Sequence, residues 1–227
     1  MLEFKHLMWQ FYRMYLRDEP TGSNAPPPTL STSRLEAFSD GVIAVAITLL
    51  VLDLHVPSPT ERGSLARHLF EQWPSFAAYL VSFLTIGVIW LNHHAMLRRL
   101  ARADHSILTL NVLLLMCIVV LPFSTSLMAA YLTAPAGHLA AVIYGGSFLV
   151  FALVFLLLQC HLLINRAHLL QEPPPTAVRR SILRRTAVGV VPYLLATLGG
   201  LLSPYLTLAI SAAVAVFYSL PAPRRHG

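Results

Sequence analysis

Six apolar stretches dominate the chain, at about 34–54, 74–97, 105–132, 138–166, 181–202 and 204–220. Breaks fall at Pro57 and Pro59, at Arg98-Arg99, near Pro135-Ala136-Gly137, at Pro173-Pro174-Pro175, and from Gly199-Gly200 to Pro204. The hydrocarbon core of a bilayer is about 30 Å thick and holds no water, so a chain crosses it as a helix of roughly 20 apolar residues. Repeated runs near that length constrain this chain more than any other feature. Charge agrees: 56% of the 227 residues are hydrophobic and only 11% charged, against roughly 25% charged in soluble domains. The expected fold class is all-α, a polytopic membrane protein with six transmembrane helices. The last two spans are short and tightly joined, which reads as a helical hairpin. No internal repeat is evident, so an inverted-repeat transporter gains no support.

Residues 1–33 are expected to form an N-terminal cytoplasmic extension, 34–220 the transmembrane domain and 221–227 a cytoplasmic tail. Lys5, Gln10 and Arg13 interrupt the apolar core that a signal peptide needs. The mix of Leu, Trp, Phe and Tyr with basic residues there suits either an interfacial helix or a disordered tail. Pro20 to Ser33 is a Pro/Ser/Thr linker. If the N-terminus is cytoplasmic, alternate segments place every Lys and Arg except Arg62 and Arg67 on the cytoplasmic side. The positive-inside rule then expects both termini in the cytoplasm and a cell-membrane location. That asymmetry also accounts for the basic balance without nucleic acid.

Enzyme chemistry finds little to hold. There is no HExxH, no phosphate loop, no spaced Ser/His/Asp set and no TVGYG filter. Cys117 and Cys160 lie inside apolar runs and read as small core residues. Gly145-Gly146 and Gly199-Gly200 read as helix-packing positions. Adjacent histidines His93 and His94 point about 100° apart on a helix, a poor geometry for one metal. A haem between one of them and His161 is the remaining cofactor idea, and no cofactor or resident metal is expected.

The first span, "RLEAFSDGVIAVAITLLVLDL", opens with charge. Ser33 and Glu36 have capping-box spacing and would start the helix at the membrane face, where Arg34 and Glu36 can snorkel. Asp40 falls about two turns in, where a carboxylate facing lipid costs roughly 2.5–3.5 kcal/mol. It therefore needs a partner in protein or water. Beyond it, Gly41, Ala44 and Ala46 permit close helix approach. Val45, Leu49 and Leu52 form one stripe, bordered by Thr48. Two readings stay open for that stripe: ordinary bundle core, or a hydrophobic constriction made by symmetric copies around an axis. Trp90, Asn92, His93 and His94 near the end of the second span, and His105 and Asn111 on the third, lie at the same end and can satisfy Asp40 and one another.

Arg34-x-x-x-Phe38-Ser39-Asp40, then Trp90-x-Asn92-His93-His94, then Asn111 and Leu121-Pro122-Phe123, resemble the transmembrane protein 175 potassium channel family in its bacterial single-copy form. The motifs cover Arg34 to Ser126, and span count alone extends the likeness to Leu220. The resemblance implies a homotetramer of six-helix subunits that passes K⁺ as permeant ion, with the first helix lining the pore and modest preference for K⁺ over Na⁺. It implies that Val45, Leu49 and Leu52 form the constriction, with Thr48 as a polar pore position. Val45 is smaller than the Ile or Leu usual at that place, which shifts the expected closure toward Leu49 or Leu52. It also implies that Arg34 and Asp40 tie the first helix to the second and third through an interhelical network of Phe38, Ser39, Trp90, Asn92, His93, His94, His105 and Asn111. A proton-coupled carrier using Asp40 with His93 or His94 as a relay is the alternative.

Overall fold

The structure, a computed structural model, describes residues 32–58 and 63–220; the expected N-terminal extension up to residue 31, residues 59–62 with Arg62, and the expected tail at 221–227 lie outside the described residues. Among the described residues there are seven α-helices and no strand. They are α1 (Thr32–Leu49), α2 (Leu65–Glu71), α3 (Trp73–Leu97), α4 (His105–Tyr131), α5 (Gly137–Cys160), α6 (Thr176–Leu202) and α7 (Pro204–Ser219). Five helical stretches are long and apolar enough to cross a membrane. The chain is a multi-pass membrane protein. The sixth expected span, α7, has 16 residues and is about 24 Å long at 1.5 Å per residue, short of a full crossing by itself.

Local chemistry explains where the elements differ from expectation. The first helix takes in Thr32, so Ser33 lies inside its first turn. It tightens into a 3₁₀ turn at Leu50–Asp53 before the prolines. Helix α2 has no counterpart among the six expected stretches: seven residues carry too little periodicity to announce a helix, and its start rests on Ser64, whose side chain accepts from the Arg67 N–H. Helix α6 begins at Thr176, directly after the triple proline, five residues ahead of the apolar run. Its first turns are the basic ones, Arg179, Arg180, Arg184 and Arg185. Helix α5 ends in a π turn at His161–Asn165.

The α5–α6 contact is built on glycine. A Cβ on Gly145 would lie 2.9 Å from the Thr197 backbone, and one on Gly200 would lie 2.9 Å from the Val142 nitrogen. The two helices approach where no larger residue fits. Ser203 breaks the chain before α7, which folds back on α6, and Thr207 Oγ1 donates to the Ala196 carbonyl at 2.8 Å. The expected hairpin is present. Both cysteines are free and half-buried. Tyr144, Phe148, Ile86, Leu114, Ile118 and Leu121 fill the middle of the bundle.

Helix α1 packs on α3 and α4. Its buried residues Leu35, Ser39, Ile43, Ala46 and Leu50 follow one another at steps of four, four, three and four, one face of a 3.6-residue period. Of the three small residues expected to permit close approach, only Ala46 is used inside the subunit. A Cβ on Gly41 would meet nothing within 4 Å, and Ala44 is exposed.

Candidate functional site: the first helix and its polar anchor

The start of α1, the end of α3 and the start of α4 meet at one end of the bundle. There Asn111, fully buried on α4, joins the three helices. Its Nδ2 donates to Ser39 Oγ at 3.0 Å, and Ser39 Oγ donates to the Leu35 carbonyl at 2.8 Å. With the amide nitrogen committed to Ser39, the Asn111 Oδ1 must accept, so the His93 Nε2–H donates to it at 2.8 Å. This fixes the tautomer: His93 Nδ1 carries the lone pair, and it is buried with no hydrogen-bond partner.

A second cluster lies beside the first, nearer solvent. The Trp90 indole N–H donates to Asp40 Oδ1 at 2.9 Å. His94 Nδ1 sits 3.1 Å from Glu36 Oε1 and 3.5 Å from Asp40 Oδ2. Close as they are, the geometry is not that of a hydrogen bond, and His94 Nδ1 has no hydrogen-bond partner. The Trp90 and His94 rings lie 5.6 Å apart. One donor atom from each of Glu36, Asp40 and His94 falls within 4.8 Å of the others, the one such grouping of three ligands among the described residues. Asp40 is thus held by protein and not by lipid, as its insertion cost requires.

Not every expected network residue is in these clusters. Arg34 is exposed and makes no ion pair or side-chain hydrogen bond among the described residues; the basic side chain beside Asp40 is His94. Phe38 is exposed. Asn92 donates to the Val88 carbonyl one turn back at 2.8 Å, on a different side of α3. His105 opens α4, and its carbonyl accepts from Thr109 Oγ1. Glu36, expected only to snorkel, instead stands against His94.

The apolar stripe is not part of the subunit core. Val45, Leu49 and Leu52 are 59%, 41% and 69% exposed, on the side of α1 opposite Ile43 and Leu50. Thr48 Oγ1 donates to the Val45 carbonyl at 2.8 Å. Beside the bulky row runs a row of small exposed residues, Ala37, Gly41, Ala44 and Thr48, also at helical spacing. At the far end of α1, Ser126 Oγ donates to Asp53 Oδ2 at 2.6 Å.

Other contacts carried no sequence signal. In mid-bundle, Thr125 Oγ1 donates to Ser82 Oγ at 2.8 Å, and Ser82 meets Tyr144 OH at 3.0 Å, all three buried. At the polar end, Arg166 pairs with Asp104, whose carboxylate also caps α4 by accepting from the Ile107 N–H. Burial alone would raise the Asp104 pKa, but the Ile107 N–H and the Arg166 guanidinium outweigh it and hold the carboxyl below its ordinary value.

Residues 34–122, which carry both clusters and the stripe, match the family described as the endosomal/lysosomal potassium channel TMEM175. A potassium channel of Streptomyces collinus is 40% identical over 199 residues, covering 86% of this chain and 96% of that protein. The chain belongs to the TMEM175 family. The crystal structure of a lysosomal potassium-selective channel TMEM175 homolog from Chamaesiphon minutus superposes with a TM-score of 0.74 at 38% identity, over 83% of this chain and 96% of that one. The mouse endosomal/lysosomal proton channel TMEM175 is 36% identical over 134 residues, which is 56% of this chain and 27% of that protein. The likeness to the mouse member of the TMEM175 family is thus confined to part of each chain, whereas these two bacterial likenesses cover more than four-fifths of each.

Proposed function

We propose that the chain is the subunit of a homotetrameric, potassium-permeable cation channel, with the exposed stripe of α1 facing the axis. The observation that carries this reading is the bare side of α1. An apolar helix face outside the subunit core must meet either lipid or another copy. Contact with lipid gives no use to a row of small residues ending in Thr48, whereas close packing of copies does. The adjacent row, Val45, Leu49 and Leu52, then forms a hydrophobic constriction that closes by dewetting, and Thr48 offers a hydroxyl to the passing ion. Two polar clusters at one end of α1 and the Asp53–Ser126 bond at the other hold that face in position. The near-full-length relatives named potassium channels support the permeant ion. With no carbonyl filter in the sequence, preference for K⁺ over Na⁺ is modest.

The described arginines support the orientation. Arg34, Arg98, Arg99, Arg102, Arg166 and the α6 group share one end of the bundle, and Arg67 is at the other, paired with Glu71. The rich end is then cytoplasmic, in a bacterial inner membrane. In liposomes, the purified protein is expected to conduct K⁺ faster than Na⁺, and Leu49→Asn to change K⁺ flux several-fold. Unchanged flux in Leu49→Asn and in the matching Val45 and Leu52 variants would overturn the pore assignment, and a monomer in detergent would overturn the assembly. The closeness of His94 to Asp40 favours one second reading, a proton-coupled carrier. Saturating, pH-driven counterflow without single-channel steps would establish it instead.

A further inference from the structure

A crevice of about 280 Å³ opens at the arginine-rich end, between the end of α3, the end of α5 and the first turns of α6. It lies on the side of α3 that carries Asn92, away from Asp40. Its inner wall is apolar, including Phe155 and Ile182, and its polar lining includes Asn92, Gln159, Arg99 and Arg185. Among the described residues neither arginine side chain makes an ion pair or a hydrogen bond, and the Gln159 amide makes none either. The nearby carboxylates do not neutralise the arginines: Asp104 is committed to Arg166, and Glu172 forms no ion pair among the described residues. Two unneutralised guanidinium groups thus border one cavity, where apolar helix gives way to basic loop.

The walls are fixed before anything binds. The π turn at His161–Asn165 directly follows Gln159 and Cys160, and such turns recur at functional sites. Arg179 donates to the Pro174 carbonyl at 2.7 Å and to the Leu163 carbonyl at 3.3 Å, locking the start of α6 onto that turn. Across the crevice, the Gln171 N–H donates to the Arg99 carbonyl at 2.9 Å, which sets the backbone from which the Arg99 side chain leaves.

We propose that this crevice binds an anionic phospholipid of the adjoining leaflet. The phosphate would lie between Arg99 and Arg185, assisted by Gln159, with an acyl chain leaving along Phe155 and Ile182. Guanidinium forks suit phosphate oxygens, and basic pockets between membrane helices suit acidic headgroups. The apolar wall selects a lipid over a free anion. The site is separate from the stripe of α1 and does not depend on what the channel conducts.

The test measures thermal unfolding of the full chain in neutral detergent, titrated with phosphatidylglycerol, phosphatidylcholine or inorganic phosphate. Phosphatidylglycerol alone is expected to raise the unfolding temperature in a saturable way. Arg99→Gln with Arg185→Gln should weaken that response about thirtyfold, on the usual contribution of an arginine near an acidic lipid surface. Both side chains reach solvent, so the variant should fold, and Arg185→Gln alone provides a milder version with a smaller loss. Arg180→Gln with Arg184→Gln removes equal charge from the same helix outside the crevice and should keep the response. An equal loss in that control would reduce the effect to general surface charge and overturn the site. An equal shift with inorganic phosphate would make the ligand a free anion and overturn the lipid assignment.

Discussion

Two polar networks hold the bundle together, and they are built on opposite terms. The one at the mouth uses ionisable and amide groups: Glu36, Asp40, Trp90 and His94 near solvent, then His93, Asn111 and Ser39 beneath. The one in mid-bundle uses hydroxyls alone, Ser82, Thr125 and Tyr144. The Leu121 carbonyl is also within reach of the Thr125 hydroxyl at 2.8 Å, so its one proton has an alternative acceptor in its own helix. In the mouth network Asn111 is the sole bridge between two buried groups, and removing it strands the His93 ring, which has no other partner, while Ser39 falls back on the Leu35 carbonyl. In the hydroxyl network the two outer members are replaceable: Thr125 has the Leu121 carbonyl, and Ser82 keeps Thr125 when the Tyr144 hydroxyl is removed. The difference is one of redundancy, and it predicts which substitutions the fold tolerates.

The largest effect tests whether mid-bundle redundancy has a geometric limit. Gly145→Val places a Cβ only 2.9 Å from the Thr197 backbone, so α5 must move and carry Tyr144 off Ser82. A loss of about 3 kcal/mol, the upper range for overpacking, or outright failure to fold is expected in a detergent unfolding assay. Next comes Asn111→Ala, which leaves His93 Nε2 buried without a partner and Ser39 Oγ with the Leu35 carbonyl alone. About 2 kcal/mol is expected, since a stranded buried group costs roughly 1–3 kcal/mol. Tyr144→Phe removes a comparable bond from the hydroxyl network, but Ser82 keeps Thr125, so about 0.6 kcal/mol is expected, the average for a hydrogen bond between membrane helices. Equal costs for Asn111→Ala and Tyr144→Phe would break the contrast.

The smallest effect lies outside both networks. Asp104 has a lowered pKa in the folded chain, so its stabilising contribution is full above the ordinary carboxylate pKa near 4 and is lost as pH falls through the lower folded value. Arg166→Gln should cost at most about 1 kcal/mol at neutral pH, because the pair is partly exposed. The gap from wild type should close below that range; a gap that persists in acid would show that Arg166 acts through packing and not through its charge.

The same contrast explains what the sequence disclosed. Asp40, Trp90, His93, His94 and Asn111 stand out because such residues are expensive inside apolar runs, and each of them makes an interhelical contact. Ser82 and Thr125 gave no signal, since hydroxyls in membrane helices commonly bond to the carbonyl a turn back, as Thr85 and Thr197 do here. Arg34 drew attention for its charge, yet a guanidinium at the helix start reaches water without needing a partner. The stripe of Val45, Leu49 and Leu52 was legible as a stripe. Which way it faced was not, because bundle core, lipid face and axis all favour the same apolar residues. Helix α2 and the basic start of α6 were missed for lack of apolar period.

Helix α1 is bonded twice to the same neighbour, through Ser39 to Asn111 and through Asp53 to Ser126. The attachment points are 14 residues apart on α1 and 15 apart on α4, and the two helices run in the same direction. Two rivets at nearly matched spacing prevent one rod from sliding along the other, since a shift of even one turn would shear both. Helices α1 and α4 therefore travel as a single beam. Any change in the width between neighbouring copies must come from tilting whole beams against each other, or from side chains turning on a stationary backbone.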